Sequence, residues 1–202
     1  MDSKLNYLKE KNLKMRDVHK PQFFRLSNIE EKEQFSKLIE SEDVLVFDEI
    51  QNQLKELIKS RHPDKKLGKL DYDQLIEKHL GNCVISDYGV WVYYPWSARL
   101  VHLLDEQEYI ELRTSANRNK ITIKERDLLA TKKVGVIGLS VGQSVSVTLA
   151  MERGCGELRL ADFDTLELNN LNRIHSGVHN LGLRLINSMP VLGFFFTKGR
   201  RG

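Results

Sequence analysis

Cysteine and proline are scarce in this 202-residue chain, with two of the first and four of the second. Cys83 and Cys155 lie far apart, and neither belongs to a CxxC pair. That excludes a disulfide framework and a thiolate zinc site, and it predicts two buried thiols in a reducing compartment. No stretch approaches the roughly 20 apolar residues of a membrane span. The N-terminal MDSKLNYLKEKNLKMRDVHK is charged throughout, so no secretory leader and a cytoplasmic location are expected. Strong charge of one sign is missing as well. The formal net charge is +3, and Lys198, Arg200 and Arg201 carry all of it; the other basic residues equal the 28 acidic ones. Basic character belongs to a tail and not to a face, which argues against a nucleic-acid partner.

What is present describes a globular protein of one or two domains, 29% charged and 41% hydrophobic. Six histidines are scattered along it. His175 and His179 could share a helix face, but without a third ligand no metal site is predicted.

Residues 1–26 read as a polar lead-in. In SNIEEKEQFSKLIES, Ser27 is the expected cap of a helix reaching Glu40, with acids in its first turn. A second helix is expected from Val46, Phe47, Ile50, Leu54, Leu57 and Ile58, which recur at three- and four-residue spacing until His62-Pro63. DYDQLIEKHLG forms a third and stops at Gly81. The texture then changes. NCVISDYGVWVYYPWSARLVHLL is rich in valine and aromatics and predicts two or three short strands, a hairpin or meander. Trp91, Tyr93, Tyr94 and Trp96 have only Arg99 as a basic neighbour, so core and sheet packing suits them better than base stacking. Helix resumes after Asp105, and Thr122 with Glu125 form a capping box.

From Lys133 the reading sharpens. KVGVIG is a short apolar run ending in glycine, as expected of a buried parallel strand. A helix over Gly142 to about Arg153 and a strand in ELRLADFD complete a βαβ unit. The turn Gly138-Leu-Ser-Val-Gly142 is a dinucleotide fingerprint without its central glycine and one residue short. Such a loop lets backbone approach a phosphate, while the following helix offers free N–H groups and partial positive charge. Asp162, at the end of the second strand, stands where an acid receives ribose hydroxyls.

The residues after it separate the nucleotides. Asp162 and Asp164 alternate, and Asn170 and Arg173 follow. A dehydrogenase has no use for the Asn-x-x-Arg, whereas an arginine near the crevice suits a triphosphate. For one residue alone a surface arginine would be the simpler account; four at fixed spacing are not.

VGVIGLSVGQS followed by LRLADFDTLELNNLNRI resembles the ThiF/MoeB/HesA family, relatives of ubiquitin-activating enzymes. The resemblance covers roughly residues 80–182 and implies an α/β fold. A Rossmann-like ATP-binding unit with a truncated parallel sheet would span 111–202, after a small α+β N-terminal domain over 1–110. Residues 1–80 are read only as a helical leader. Family members use ATP and magnesium to adenylate a carboxylate of a small β-grasp, ubiquitin-like or sulfur-carrier protein, and work as homodimers. The resemblance implies ATP binding at Gly138, Ser140, Gly142, Asp162, Asp164, Asn170 and Arg173, with Asp162 on the ribose and Asn170 and Arg173 on the phosphates. ELRTSANRNKIT is similar to the family's arginine-bearing element that reaches the partner subunit's ATP. Arg118 is its first match and Arg113 its second, so Arg173 and Arg118 are the expected catalytic residues. YGVWVYYPWSARLVHLL resembles the leader of large ThiF-like proteins, some fused to a nitroreductase-like domain.

Two departures stand out. Leu185 occupies the place of the family's phosphate-binding lysine, with Arg184 adjacent but out of register, and the family's magnesium-binding aspartate is expected beyond this chain. The last twenty residues look foreign to the fold, as a truncated ending would, with a third strand expected from INSMPVLGFFF and exposed apolar residues at Phe194, Phe195 and Phe196. The expectation is therefore the N-terminal part of an adenylyltransferase, inactive as it stands. A Rossmann NAD-binding oxidoreductase and a non-catalytic interaction module are its rivals.

Overall fold

In the computed structural model of the chain, the described residues are 2–16, 20–40 and 43–188. They form a mixed α/β protein that divides into two units, one running Lys20–Ser115 and the other holding the rest. The expected lead-in is a helix, α1 (Asp2–Arg16). DSKLNYLKEKNLKMR holds no glycine, proline or β-branched residue, so propensity favours helix even where residues 2–10 bury nothing.

The unit Lys20–Ser115 is built on a four-stranded mixed sheet, where a helical leader is expected for most of its length. β1 (Gln22–Phe24) leads into α2 (Ile29–Ile39). The cap of α2 is Asn28 and not Ser27: the Asn28 side-chain oxygen accepts from Glu30 N at 2.9 Å and from Glu31 N at 3.3 Å. β2 (Leu45–Asp48) contains Val46 and Phe47, which the periodicity assigns to a helix. Val46 stands four residues before Ile50 and so mimics helical phase across a strand–helix junction. The junction is made by Asp48, whose Oδ1 accepts from Ile50 N at 3.2 Å as α3 (Ile50–Arg61) begins.

After α4 (Lys69–Leu80), β3 (Val90–Tyr94) and β4 (Arg99–Leu103) pair as the expected antiparallel hairpin. The strand order is β1-β3-β4-β2, with only β2 parallel to its neighbour β4. α5 (Glu106–Arg113) follows, capped by Asp105 as expected. Ile50, Leu54, Leu57 and Ile58 on α3 pack with Ile76 and Leu104 into one core, while Phe24, Leu26, Trp91 and Leu100 form another. Each such side chain contributes about 1.5–3 kcal/mol by leaving water. Trp91 belongs to the core and Trp96 does not, being 39% exposed. Cys155 is buried, and burial raises its thiol pKa; Cys83 is exposed, against expectation.

In the second unit, α6 (Ile123–Leu129) carries the expected capping box, Glu125 N donating to Thr122 Oγ1 and Thr122 N to Glu125 Oε2. β5 (Lys133–Ile137), α7 (Leu139–Glu152) and β6 (Glu157–Ala161) then form a βαβ unit with the strands parallel, Lys133 opposite Glu157 and Ile137 opposite Ala161. α7 starts three residues before Gly142, at Leu139. β5 is not buried on both faces. Val134 and Val136 are half-buried, while Gly135 is exposed and Ile137 is 88% exposed.

Beyond β6 the chain returns in short turns at Leu168–Asn172 and Val178–Asn180. Residues 164–166 pair with 182–185: Leu166 N donates to Leu183 O, Gly182 N to Leu166 O and Leu185 N to Asp164 O. Leu139, Ala150, Leu166, Ile174 and Leu185 form the core beneath. Leu185–Ser188 is one helical turn, α8, and not the start of a strand. The rest of the expected third strand, with Phe194 to Phe196, lies outside the described residues. His175 precedes the Val178–Asn180 turn, so it shares no helix face with His179.

Candidate nucleotide site at the start of α7

The glycine turn is accounted for by two different constraints. Gly138 has φ +85°, a left-handed backbone that lets β5 turn at once into α7. A Cβ on Gly142 would lie 2.7 Å from Val136 Cγ1, so its bareness is what allows the helix to sit against the strand. Turn and close packing are two of the three roles that glycines play in dinucleotide-binding loops.

Asp162 closes over this turn from the end of β6. Its Oδ2 accepts from Leu139 N at 2.6 Å, the first N–H of α7, and its Oδ1 accepts from Asp164 N at 2.8 Å. The carboxylate thus caps a helix whose N-cap residue, Gly138, has no side chain to offer. Arg173 reaches the same turn from the other side: its Nε donates to Ser140 Oγ at 2.6 Å, and its Nη1 donates to Asn172 Oδ1 at 3.0 Å. Gly138, Ser140, Gly142, Asp162 and Arg173 are therefore brought together.

The remaining expected residues behave differently. Asn170 spends its side chain on its own turn, Oδ1 accepting from Glu167 N at 2.8 Å and Nδ2 donating to Asn169 Oδ1. Asp164 is exposed and meets Asp162 through its backbone. Leu185 is 3% exposed in the core with Leu139 and Leu166, while Arg184 faces solvent. Arg113 lies at the end of α5; Arg118 lies in the turn Ser115–Asn119, and its side chain is outside the described residues.

One residue of this site is invisible to motif reasoning. Gln143, 3% exposed, donates from Nε2 to His175 O at 3.0 Å and accepts from His175 N at 2.6 Å. Its only sequence signal is a polar residue on the inner side of α7, just after the glycine turn.

A second polar cluster sits in the unit Lys20–Ser115. Tyr88 donates to Glu108 at 2.5 Å, His79 Nε2 lies 2.8 Å from the Tyr88 hydroxyl, and Arg61 spans Glu108 and Glu111. Burial, then the Glu108 carboxylate, push the Tyr88 hydroxyl well above the usual tyrosine range. Every group in it has a partner, as in a structural network. Among the described residues, no three His, Cys, Asp or Glu side chains gather to hold a metal ion, and no helix is long and apolar enough to cross a membrane.

The chain is similar to an uncharacterized protein of Mycobacterium tuberculosis (strain CDC 1551 / Oshkosh), 47% identical over 93 residues, or 46% of this chain and 13% of that protein. No protein-family profile matches the chain. No solved structure matches it either.

Proposed function

We propose that the β5-α7-β6 unit is a Rossmann-like nucleotide-binding unit, and that its ligand is ATP, in the manner of the ThiF/MoeB/HesA adenylyltransferases it resembles. The observation that carries the reading is the convergence of Asp162 and Arg173 on one helical turn, at Leu139 N and Ser140 Oγ. A carboxylate that accepts hydrogen bonds suits ribose hydroxyls. A guanidinium beside a helix N-terminus suits phosphate, because both present N–H donors and positive charge to it.

In the full reaction a carboxylate oxygen of a small β-grasp protein attacks the α-phosphorus. The new O–P bond forms as the bond to the β-phosphate oxygen breaks, and pyrophosphate leaves with the negative charge. The protein's share is to position the triphosphate and meet that charge. Magnesium would arrive with the nucleotide; the described residues form no cage for it, and no step here runs through it. The cytoplasm, a homodimer and Arg118 acting on the partner subunit's ATP complete this reading.

A second reading, a binding module without turnover, is favoured by Leu185. The residue in the place of the family's lysine is buried among leucines and cannot meet a phosphate. We therefore expect ATP binding without adenylation from this chain. ATP–pyrophosphate exchange with β-grasp proteins tests this: robust exchange would assign the chemistry to the chain and overturn the second reading.

A further inference from the structure

We propose that Gln143 is a positioning residue for Arg173, holding that arginine's segment against α7 so that the guanidinium stays over the first turn of the helix. The inference rests on the ATP reading above for its meaning, though not for its geometry. Residues 173–175 are pinned to the same helix and its core in three successive ways. The Arg173 side chain donates to Ser140. The Ile174 side chain is buried with Leu139 and Ala150. The His175 backbone is held at both its N–H and its C=O by the one amide of Gln143.

Ser140 and Gln143 are three residues apart on α7 and so share a face. The helix therefore acts as a ruler, with the guanidinium at one mark and the backbone two residues later at another. A side-chain amide is costly to bury unless its hydrogen bonds are made, and here both ends are used on a single residue. The segment after Arg173 has no repeating structure of its own until Val178. The clamp adds to the burial of Ile174, the Arg173 and Ile174 N–H bonds to Asn170 O and the guanidinium's bonds to Ser140 and Asn172 a direct tie from the His175 backbone to α7.

Methionine fills a similar volume but can neither donate nor accept in this way. Glutamate keeps the acceptor for His175 N–H and loses the donor to His175 O. In the full chain, the Arg173 Nε–H resonance, assigned by its disappearance in Arg173→Lys, should lose protection from solvent exchange in Gln143→Met. ATP and adenosine affinities by calorimetry give the second readout, because only ATP carries the phosphates that Arg173 meets. Gln143→Met should weaken ATP about tenfold, within the coupling seen between residues linked through a shared backbone shift, and change adenosine less than about twofold. In an Arg173→Ala background the same substitution should change ATP affinity by less than about twofold. An unchanged Arg173 Nε–H, equal losses for ATP and adenosine, or additive losses in the double variant would each overturn the proposal. If the chain binds no ATP, the nucleotide reading falls, and the Nε–H measurement alone decides the positioning role. If Gln143→Met does not fold, Gln143→Glu carries the same comparisons.

Discussion

Asp162 and Leu139, 23 residues apart, are joined by a 2.6 Å hydrogen bond from the first N–H of α7 to the carboxylate at the end of β6. The bond ties the strand end to the turn that the nucleotide is proposed to occupy. Under the proposed ATP reading, ribose hydroxyls would share this carboxylate with Leu139 N–H.

Asp162 should accordingly have separable effects on stability and on binding. Asp162→Ala removes a helix cap, at about 0.5–2 kcal/mol. It should also remove about 1.5–3 kcal/mol of ATP affinity, as loss of hydrogen bonds to a charged group does. Asp162→Asn keeps an oxygen for Leu139 N–H and should recover most of the first loss. Thermal unfolding read by circular dichroism, beside calorimetry with ATP, separates the two. Equal unfolding temperatures for wild type and Asp162→Ala would contradict the capping role.

Gly142→Ala should destabilise the βαβ unit, because the new Cβ meets Val136 Cγ1 at 2.7 Å. Overpacking of this kind costs about 1–3 kcal/mol. The double variant Gly142→Ala/Val136→Ala removes the clash and should recover part of the loss. Amide exchange of β5 and α7 is the measurement; a double variant less protected than Gly142→Ala alone would refute the steric account.

The βαβ unit was legible because its signals are local. An apolar run, a glycine turn and a second apolar run fall in the order the chain folds them, and the Thr122–Glu125 box is likewise three residues wide. What escaped depends on partners distant in sequence. β1 is three residues long and exists through pairing with β3, Phe24 opposite Trp91. β2 pairs with β4 more than fifty residues on, Leu45 opposite Arg99, and its Val46 happens to fall in phase with α3. In the site, Asp162 and Arg173 are visible as a spaced pattern, but the Gln143 clamp is a contact across 32 residues with no periodicity to betray it. Asn170 is the reverse case: the pattern names it, and its side chain serves its own turn.

Acid should weaken the unit Lys20–Ser115 through Asp105. Its carboxyl is held below the usual carboxylate range by the side-chain hydrogen bond from Arg25, which outweighs the opposing effect of burial, with further help from Glu106 N–H and the Arg25 charge. A folded-state pKa below the unfolded one gives stability that is complete above the unfolded value and lost as pH falls through the folded value. The stability gap between wild type and Arg25→Met should therefore hold from neutral pH down to the ordinary aspartate range and narrow below it. Both tryptophans, Trp91 and Trp96, lie in this unit, so denaturant titrations followed by fluorescence report on it. A gap that persists at the lowest pH would contradict this assignment.

The open face of β5 should make the chain adhesive. Ile137 is 88% exposed and Phe163, just beyond β6, is 92% exposed. Large apolar side chains exposed to this degree invite association. Ile137→Thr should reduce both the binding of a hydrophobic dye and the concentration dependence of sedimentation. An unchanged dye signal would place the adhesive surface elsewhere.

Parallel calorimetric titration of the chain with ATP and with NAD, in wild type and Arg173→Ala, tests the central claim most directly. The account predicts that ATP binds and that NAD binds more weakly. Arg173→Ala should cost ATP about 1.5–3 kcal/mol, as loss of a charge-assisted hydrogen bond does, while adenosine is unaffected. NAD binding as tight as ATP binding, with Arg173→Ala silent toward both, would contradict it.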